Sequence, residues 1–150
     1  MASAWRRIQR RRVENVLLVV ARAEELPSEL DGLADAITVH FPWGSLLRGV
    51  LVADADIAGG LARIARPGAG VTAVLSVTDR ERSLGLPVVD DGLGPALAAG
   101  YAAHGLTLVD WRPATRGEVE ATRSSWAKRL HAGGRRPAWL LRLAREGTLR

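Results

Sequence analysis

The sequence contains no cysteine, a single lysine and no long apolar run. The absence of cysteine excludes disulfide bonds and thiolate chemistry. The three histidines, at positions 40, 104 and 131, lie far apart and lack the spacing of metal ligands, so no metal site is expected. The longest apolar runs, such as residues 16–21, are too short to cross a bilayer. We therefore expect a cytoplasmic protein that uses no metal and does not enter a membrane.

The remaining composition is that of an ordinary globular domain with unevenly distributed charge. The 150 residues are 47% hydrophobic and 25% charged, which suits one domain with a substantial core. Five Arg and one Glu make residues 1–14 basic, six Arg and twelve acids make residues 15–111 acidic, and nine Arg, one Lys and three acids make residues 112–150 basic. Basic ends around an acidic middle favour contact with RNA. The alternative is an arginine-rich surface that follows genome base composition.

Apolar segments alternate with turn signals along the chain, which predicts an α/β domain with a largely parallel sheet. The last helix and strand are expected to form an antiparallel edge. Strands are predicted at residues 15–20, 35–40, 70–77, 106–111 and 138–143, and the first of these is typical of a strand buried on both faces. Helices are predicted after residue 44, from a cap at Asp54 or Asp56 to about residue 65, and over 95–103. A further helix is predicted over 115–131, where Thr115 and Glu118 have the spacing of a capping box.

Two segments carry the most specific sequence signals. The first runs from His40 to Leu51 and reads His-Phe-Pro-Trp-Gly-Ser-Leu-Leu-Arg-Gly-Val-Leu. It places Trp43 at the carboxyl end of a predicted strand, where open α/β sheets bind ligands. The second, Ser124 to His131, reads Ser-Ser-Trp-Ala-Lys-Arg-Leu-His. Together with residues 15–27, these segments resemble the aminoglycoside-resistance methyltransferases that modify N1 of adenine-1408 in 16S ribosomal RNA.

The resemblance implies an incomplete class I S-adenosylmethionine-dependent methyltransferase fold, which is Rossmann-like. Residues 1–150 would form a single partial domain, with 1–14 as the tail of a basic helix and 15–150 running from the third strand onward. Family members begin with a strand and a Gly-rich turn, and a second strand then ends in an acid that binds ribose. Neither feature precedes Asn15. We therefore expect compromised cofactor binding, and we expect the DNA just upstream to encode the missing strands.

The resemblance also implies that Trp43 and Trp126 are the catalytic pair. Methylation of adenine N1 needs little acid–base assistance, but the base must be extracted, stacked and shielded from water. Two indole faces also stabilise the positive charge that develops on the ring. The alternative is that both are core or interface residues, since tryptophan is usually well buried. Trp5, Trp111 and Trp139 lack the motif context and are predicted to pack.

The remaining candidate residues fall into two groups. Ala23, Glu24, His40, Phe41 and Ser124 match the positions that border S-adenosylmethionine in the family. Glu24 could instead be a solvated acid at a turn, and Ser124 an ordinary polar helix residue. Lys128, Arg129, Arg135 and Arg136 match RNA phosphate contacts, with an ordinary charged face as the alternative.

The leading interpretation is an enzyme that transfers a methyl group from S-adenosylmethionine to adenine N1 in the decoding site of 16S rRNA, within the 30S subunit. Such an enzyme confers aminoglycoside resistance. The chain's activity on its own stays open. One alternative is a non-catalytic RNA- or ribosome-binding remnant of such an enzyme. Another is an unrelated small-molecule methyltransferase with coincidental motifs.

Overall fold

The computed structural model of the chain describes residues 6, 10, 14–77, 81, 85–125, 127 and 136–147. These residues form a four-stranded sheet with helices, as the α/β prediction requires. The strands are β1 (Ala34–His40), β2 (Ala65–Leu75), β3 (Leu106–Pro113) and β4 (Trp139–Arg145). The helices are α1 (Gly44–Val52), α2 (Ala55–Ile64), α3 (Gly94–Ala102) and α4 (Arg116–Ala121).

The order of the strands across the sheet is β1-β2-β4-β3. β1 and β2 are parallel, whereas β4 runs antiparallel to both β2 and β3. β1, β2 and β3 therefore run in the same direction, as the prediction of a largely parallel sheet requires, and β4 is the one antiparallel strand of the described sheet. The prediction of β4 at an edge is wrong, because it lies between its two partners. Local sequence patterns define a strand but not its neighbours, which tertiary packing selects.

Residues 15–20 form no strand, which corrects the prediction of a buried strand there. Leu17 and Val20 are 79% and 76% exposed. β-branched and leucine side chains favour strands because they fit a pleated and partly buried surface, so the preference acts only when a partner strand is present. Among the described residues, no strand pairs with this segment.

The sheet carries buried apolar side chains on both of its faces. Successive strand residues point to opposite faces, and β2 follows this rule. Val71, Ala73 and Leu75 belong to the larger core cluster, which includes residues of α1, α2 and α3. Val74 belongs to a second cluster with Phe41 and residues near α4. The helices α1–α3 thus cover one face, and the second cluster covers the other.

Side-chain caps set the helix boundaries. The Asp54 carboxylate caps α2 by accepting hydrogen bonds from two backbone N–H groups. The predicted capping box at the start of α4 is confirmed, with Thr115 and Glu118 as its two members. α4 ends at Ala121 and does not continue to residue 131 as predicted. Arg123 adopts φ of 50°, outside the helical region, and residues 128–131 lie beyond the described part.

Tyr101 links α3 to the last turn of α1 inside the core. Its hydroxyl donates a hydrogen bond of 2.9 Å to the carbonyl oxygen of Val50, and burial raises the pKa of the phenol well above its ordinary value. Replacing Tyr101 with phenylalanine should lower the free energy of unfolding by about 1–3 kcal/mol, because the Val50 carbonyl loses this donor in a buried place. Urea denaturation measures the difference, and an unchanged midpoint would contradict it.

Candidate active site

Trp43 is exposed just beyond the carboxyl end of β1. Its residue surface is 76% exposed, and its backbone is extended, with φ of −141° and ψ of 165°. The next residue, Gly44, begins α1 with φ of 62°, a conformation that suits glycine. Phe41 and Pro42, which precede it, are buried. Trp43 is therefore not a core residue of this chain, and its indole is exposed to a ligand or an interface.

His40 and Phe41 have different surroundings although they are neighbours. His40 is the last residue of β1, lies opposite Val74 in the parallel register, and is exposed. The backbone N–H of Phe41 donates to the Val74 carbonyl oxygen at 2.8 Å, which extends the pairing by one residue. The Phe41 ring is buried in the second core cluster. The Phe41 side chain is thus enclosed in the core, and its cofactor contact stays a prediction for the backbone alone.

Glu24 lines an open cleft of about 280 Å³ with Ser45 and Arg48 of α1. The turn that carries Ala23 and Glu24 lies against α2, where a Cβ at Gly60 would come within 3.0 Å of the Ala23 carbonyl oxygen. The structure therefore brings the Ala23–Glu24 turn close to the helix that begins beside Trp43. His40, Phe41 and Ser124 do not line this cleft. The carboxylate of Glu24 is a suitable acceptor for an amino group such as that of adenine.

The described part of the second motif is ordered by hydroxyl groups after α4. The Thr122 hydroxyl donates to the Val119 carbonyl oxygen at 2.7 Å and accepts from the Ser124 N–H at 3.2 Å. The Ser124 hydroxyl then accepts from the Ala127 N–H at 3.3 Å. Ser124 thus caps the segment that contains position 126. Trp126, Lys128, Arg129 and Arg135 lie outside the described residues, as does Trp5.

Arg136 is the one predicted phosphate-binding residue that the structure describes. It is partly buried, and its Nη1 atom is enclosed without a hydrogen-bond partner among the described residues. Leaving a buried guanidinium N–H unpaired is costly, so this nitrogen needs a hydrogen-bond acceptor within the protein.

An ion-pair network holds the start of α4 against β3. The Arg112 guanidinium donates to both carboxylate oxygens of Glu118, at 3.0 and 2.7 Å, and to Asp110 at 3.0 Å. The hydrogen bond from Arg112 and the backbone N–H of Thr115 lower the pKa of Glu118 to about 2. The capping-box spacing pointed to Glu118, but sequence analysis missed Arg112, because nothing local marks a strand residue as its partner.

This network predicts a specific dependence of stability on acid. The folded pKa of Glu118 is lowered from 4.5 to about 2, so its contribution is complete above pH 4.5 and is lost as the pH falls towards 2. Glu118→Gln should lower the Tm at pH 7 by about 2–4 °C. The difference from wild type should shrink between pH 5 and pH 2, as measured by calorimetry.

Glu120→Gln provides the matched control. Glu120 forms an exposed ion pair with Arg116 one turn away on the same helix, and such pairs contribute little to stability. This variant should melt close to wild type throughout the range. A Glu118→Gln difference that stays constant down to pH 2 would contradict the assignment.

Two of the remaining tryptophans pack against each other, as predicted. The rings of Trp111 and Trp139 stack with centroids 4.8 Å apart and planes 24° apart. The Trp111 indole N–H donates to the Asp90 carbonyl oxygen at 2.8 Å, which ties the 85–93 loop to β3. Trp139 is buried, whereas Trp43, the one candidate site tryptophan among the described residues, is exposed.

Within the described ranges, no helix is long and apolar enough to span a membrane. The same residues contain no group of three or more His, Asp or Glu side chains that could hold a metal ion.

The fold matches solved structures of methyltransferases. The crystal structure of a variant of the 16S rRNA (adenine(1408)-N(1))-methyltransferase from Catenulisporales acidiphilia with its cosubstrate SAM superposes with a TM-score of 0.79 at 28% identity. It covers 98% of this chain, which covers 74% of that chain. The 16S rRNA methyltransferase KamB gives 0.69 at 33% identity, over 84% of this chain and 60% of that one. The fold is thus that of the S-adenosylmethionine-dependent methyltransferases.

The particular family follows from sequence comparison. The model of the NpmA family, 16S rRNA (adenine(1408)-N(1))-methyltransferase, matches residues 1–145, and the chain belongs to this family. A relative of that name from Escherichia coli is 33% identical over 131 residues, and one from Streptoalloteichus tenebrarius is 37% identical over 125. The matches cover 83% and 79% of this chain but 60% and 56% of the relatives. The chain thus spans less than two thirds of their length.

Proposed function

We propose that this chain carries the base-binding and RNA-binding part of an enzyme that methylates N1 of an adenine in the decoding site of 16S rRNA, which confers aminoglycoside resistance. The observation that carries the proposal is the exposed indole of Trp43, held at the carboxyl end of β1 in a chain of this family. Tryptophan is highly buried on average, so an indole that is 76% exposed is unusual. An exposed indole at a strand end is suited to receive a base that leaves its helix.

The chain's own residues would extract, hold and shield the base. Trp43 offers one face for stacking, and Trp126 is proposed to offer the other. N1 of adenine is unprotonated near neutral pH, so its lone pair attacks without a general base. S-adenosylmethionine supplies the methyl group when bound, because the carbon–sulfur bond breaks as the carbon–nitrogen bond forms. The methylated ring is a cation, and indole faces stabilise the charge that grows on it.

The cofactor and RNA contacts are proposed from the described contacts. The Glu24 carboxylate would accept from the amino group of the cofactor's adenine, with the Ala23 turn beneath it on α2. The cleft is slightly smaller than a typical small-molecule pocket, so it suits one part of the cofactor. The accessible part of the partly buried Arg136 side chain would meet a phosphate, together with Lys128, Arg129 and Arg135.

The exposed Trp43 indole could stack on a base without any cofactor, which favours a second candidate, an RNA-binding protein without catalysis. One experiment separates the two. The chain is incubated with 30S subunits and S-adenosylmethionine carrying a labelled methyl group, and the 16S rRNA is analysed by mass spectrometry and primer extension. One methyl group on N1 of one decoding-site adenine is expected. Binding to 30S subunits without methylation would favour the RNA-binding protein over the enzyme. Absence of both binding and methylation would contradict both candidates.

Binding to 30S subunits should weaken steeply as salt is raised. Each Arg–phosphate contact releases counterions, which adds about 0.7–0.9 to the slope of log K against log salt. Replacing Arg129, Arg135 and Arg136 together with glutamine should reduce that slope by about 2–3. Filter binding at salt concentrations of roughly 50 to 300 mM measures this slope. An unchanged slope would place the RNA-binding surface elsewhere.

A further inference from the structure

We propose that the second core cluster fixes the Trp43 segment and the segment that contains Trp126 in one relative position, with Phe41 as its positioning residue. This inference rests on the proposed function, because it concerns how the two base-binding tryptophans are held. The cluster consists of Phe41, Val74, Val119, Ala127, Ala138 and Leu140.

Phe41 anchors the first segment on the side of the sheet opposite to α1–α3. It adopts φ of 49°, in the left-handed region that a bulky residue normally avoids. Such a conformation persists only where the surroundings determine it. Its N–H is bonded to Val74, and its ring is only 4% exposed. Two residues later, Trp43 is fully turned to the outside. The buried Phe41 ring therefore fixes the backbone position from which the exposed Trp43 indole projects.

The second segment is anchored in the same cluster through α4. Val119 is buried on this helix, whose first turn is held to β3 by the Arg112–Glu118 ion pair. Ala127 is 5% exposed and follows Trp126 directly in the sequence. The Ser124 hydroxyl caps the Ala127 N–H. The backbone on the carboxyl side of Trp126 is thus tied to the core that holds Phe41.

A shared cluster gives these two segments a mechanical connection. Protein interiors are close-packed, so removing a large side chain shifts its neighbours. The larger core cluster contains none of the three residues that anchor the two segments. Substitution of Phe41 should therefore shift the α4 segment more than it shifts the larger cluster. Substitution of Val119 should likewise shift the Trp43 segment.

Reciprocal substitutions test the connection in the full chain. The protein is labelled with 5-fluorotryptophan, and each of the five fluorine resonances is assigned by a Trp→Phe variant. Phe41→Ala should move the Trp126 resonance by more than its linewidth, and Val119→Ala should move the Trp43 resonance likewise. The Trp111 resonance should stay within its linewidth, because that ring packs against the larger cluster. If each variant alters only the tryptophan on its own side, the proposal is overturned.

Two further variants guard against a general loss of structure. Leu97→Ala opens a cavity in the larger cluster, where Leu97 is 1% exposed, and it should leave the Trp43 and Trp126 resonances in place. A response of both to Leu97→Ala would overturn the proposal. If Phe41→Ala does not fold, Phe41→Leu keeps an apolar side chain of another shape and should still move the Trp126 resonance. An unmoved resonance in that folded variant would overturn it too.

Binding of an RNA oligonucleotide that contains the decoding site gives an independent measure. Phe41→Ala should weaken binding by about 5- to 150-fold, the range for losing a stacked base. When residue 43 is already alanine, Phe41→Ala should weaken RNA binding by less than a further factor of about two, because the indole that Phe41 positions is absent. Full additivity would overturn the positioning role. If wild type fails to bind RNA, the proposed function fails, while the fluorine spectra still decide the positioning role.

Discussion

Replacing Trp43 with alanine is expected to weaken binding of decoding-site RNA by about 5- to 150-fold, because stacking a base on an aromatic side chain contributes about 1–3 kcal/mol. Trp43 is suited to this test because its indole is exposed and supports no core packing in the way that Trp139 does. The variant should therefore melt near the wild-type temperature. Fluorescence anisotropy with a labelled RNA hairpin, at one fixed salt concentration, measures the affinity.

Trp43→Phe is the matched control, since it keeps an aromatic face at the same position. It should retain most of the affinity and lose only the part that depends on the larger indole. If methylation of 30S subunits is detected, Trp43→Ala should reduce it at least as strongly as it reduces binding. Binding of Trp43→Ala with wild-type affinity would remove the base-stacking role.

The second large effect is expected from Gly100→Ala on α3. A Cβ built at Gly100 would lie 2.6 Å from the Cβ of Ala53, which is attached directly to the backbone and cannot swing away. The backbone must shift, so the free energy of unfolding should fall by about 1–3 kcal/mol, despite the helix-forming advantage of alanine. Gly117→Ala on α4 is the control, because nothing lies within 4 Å of its new Cβ.

A reciprocal exchange sharpens this test. Ala53 ends α1 in the left-handed region with φ of 49°, where glycine is the preferred residue. Ala53→Gly removes the clashing Cβ and relieves this conformation at once. The double variant Ala53→Gly, Gly100→Ala should therefore regain most of the stability lost by Gly100→Ala alone. Urea denaturation of the four proteins checks this cycle, and additive losses would show that the two positions do not compete for space.

The sequence predicted those elements whose signals are local. The Asp54 cap, the Thr115–Glu118 capping box and the apolar run of β1 each determine a boundary through nearby residues, and the structure follows them. The helix predicted over 115–131 was too long because the Thr122 hydroxyl bonds back to Val119. Such local side-chain bonds compete with helix continuation, and composition alone does not reveal which way they turn.

Features that depend on distant partners could not be predicted in this way. Residues 15–20 have a strand-forming composition, but a strand also needs a neighbour, which the described sheet does not supply. The place of β4 and the partner of Glu118 were likewise set by pairing across the chain. Of the candidate site, the motif predicted the position of Trp43 on a strand end. It could not predict that Phe41 is buried on the opposite face of the sheet.

The position of β4 has a consequence for the synthesis of the protein. β4 is made after β1, β2 and β3, yet both β2 and β3 pair with it. Two of the three strand pairings of the described sheet therefore wait until residues 139–145 have left the ribosome. Until then, β2 and β3 keep unpaired edges, which are prone to association with other chains. Chaperone dependence during translation should follow the time between synthesis of β2 and release of β4, and slow codons between them should lower the soluble yield.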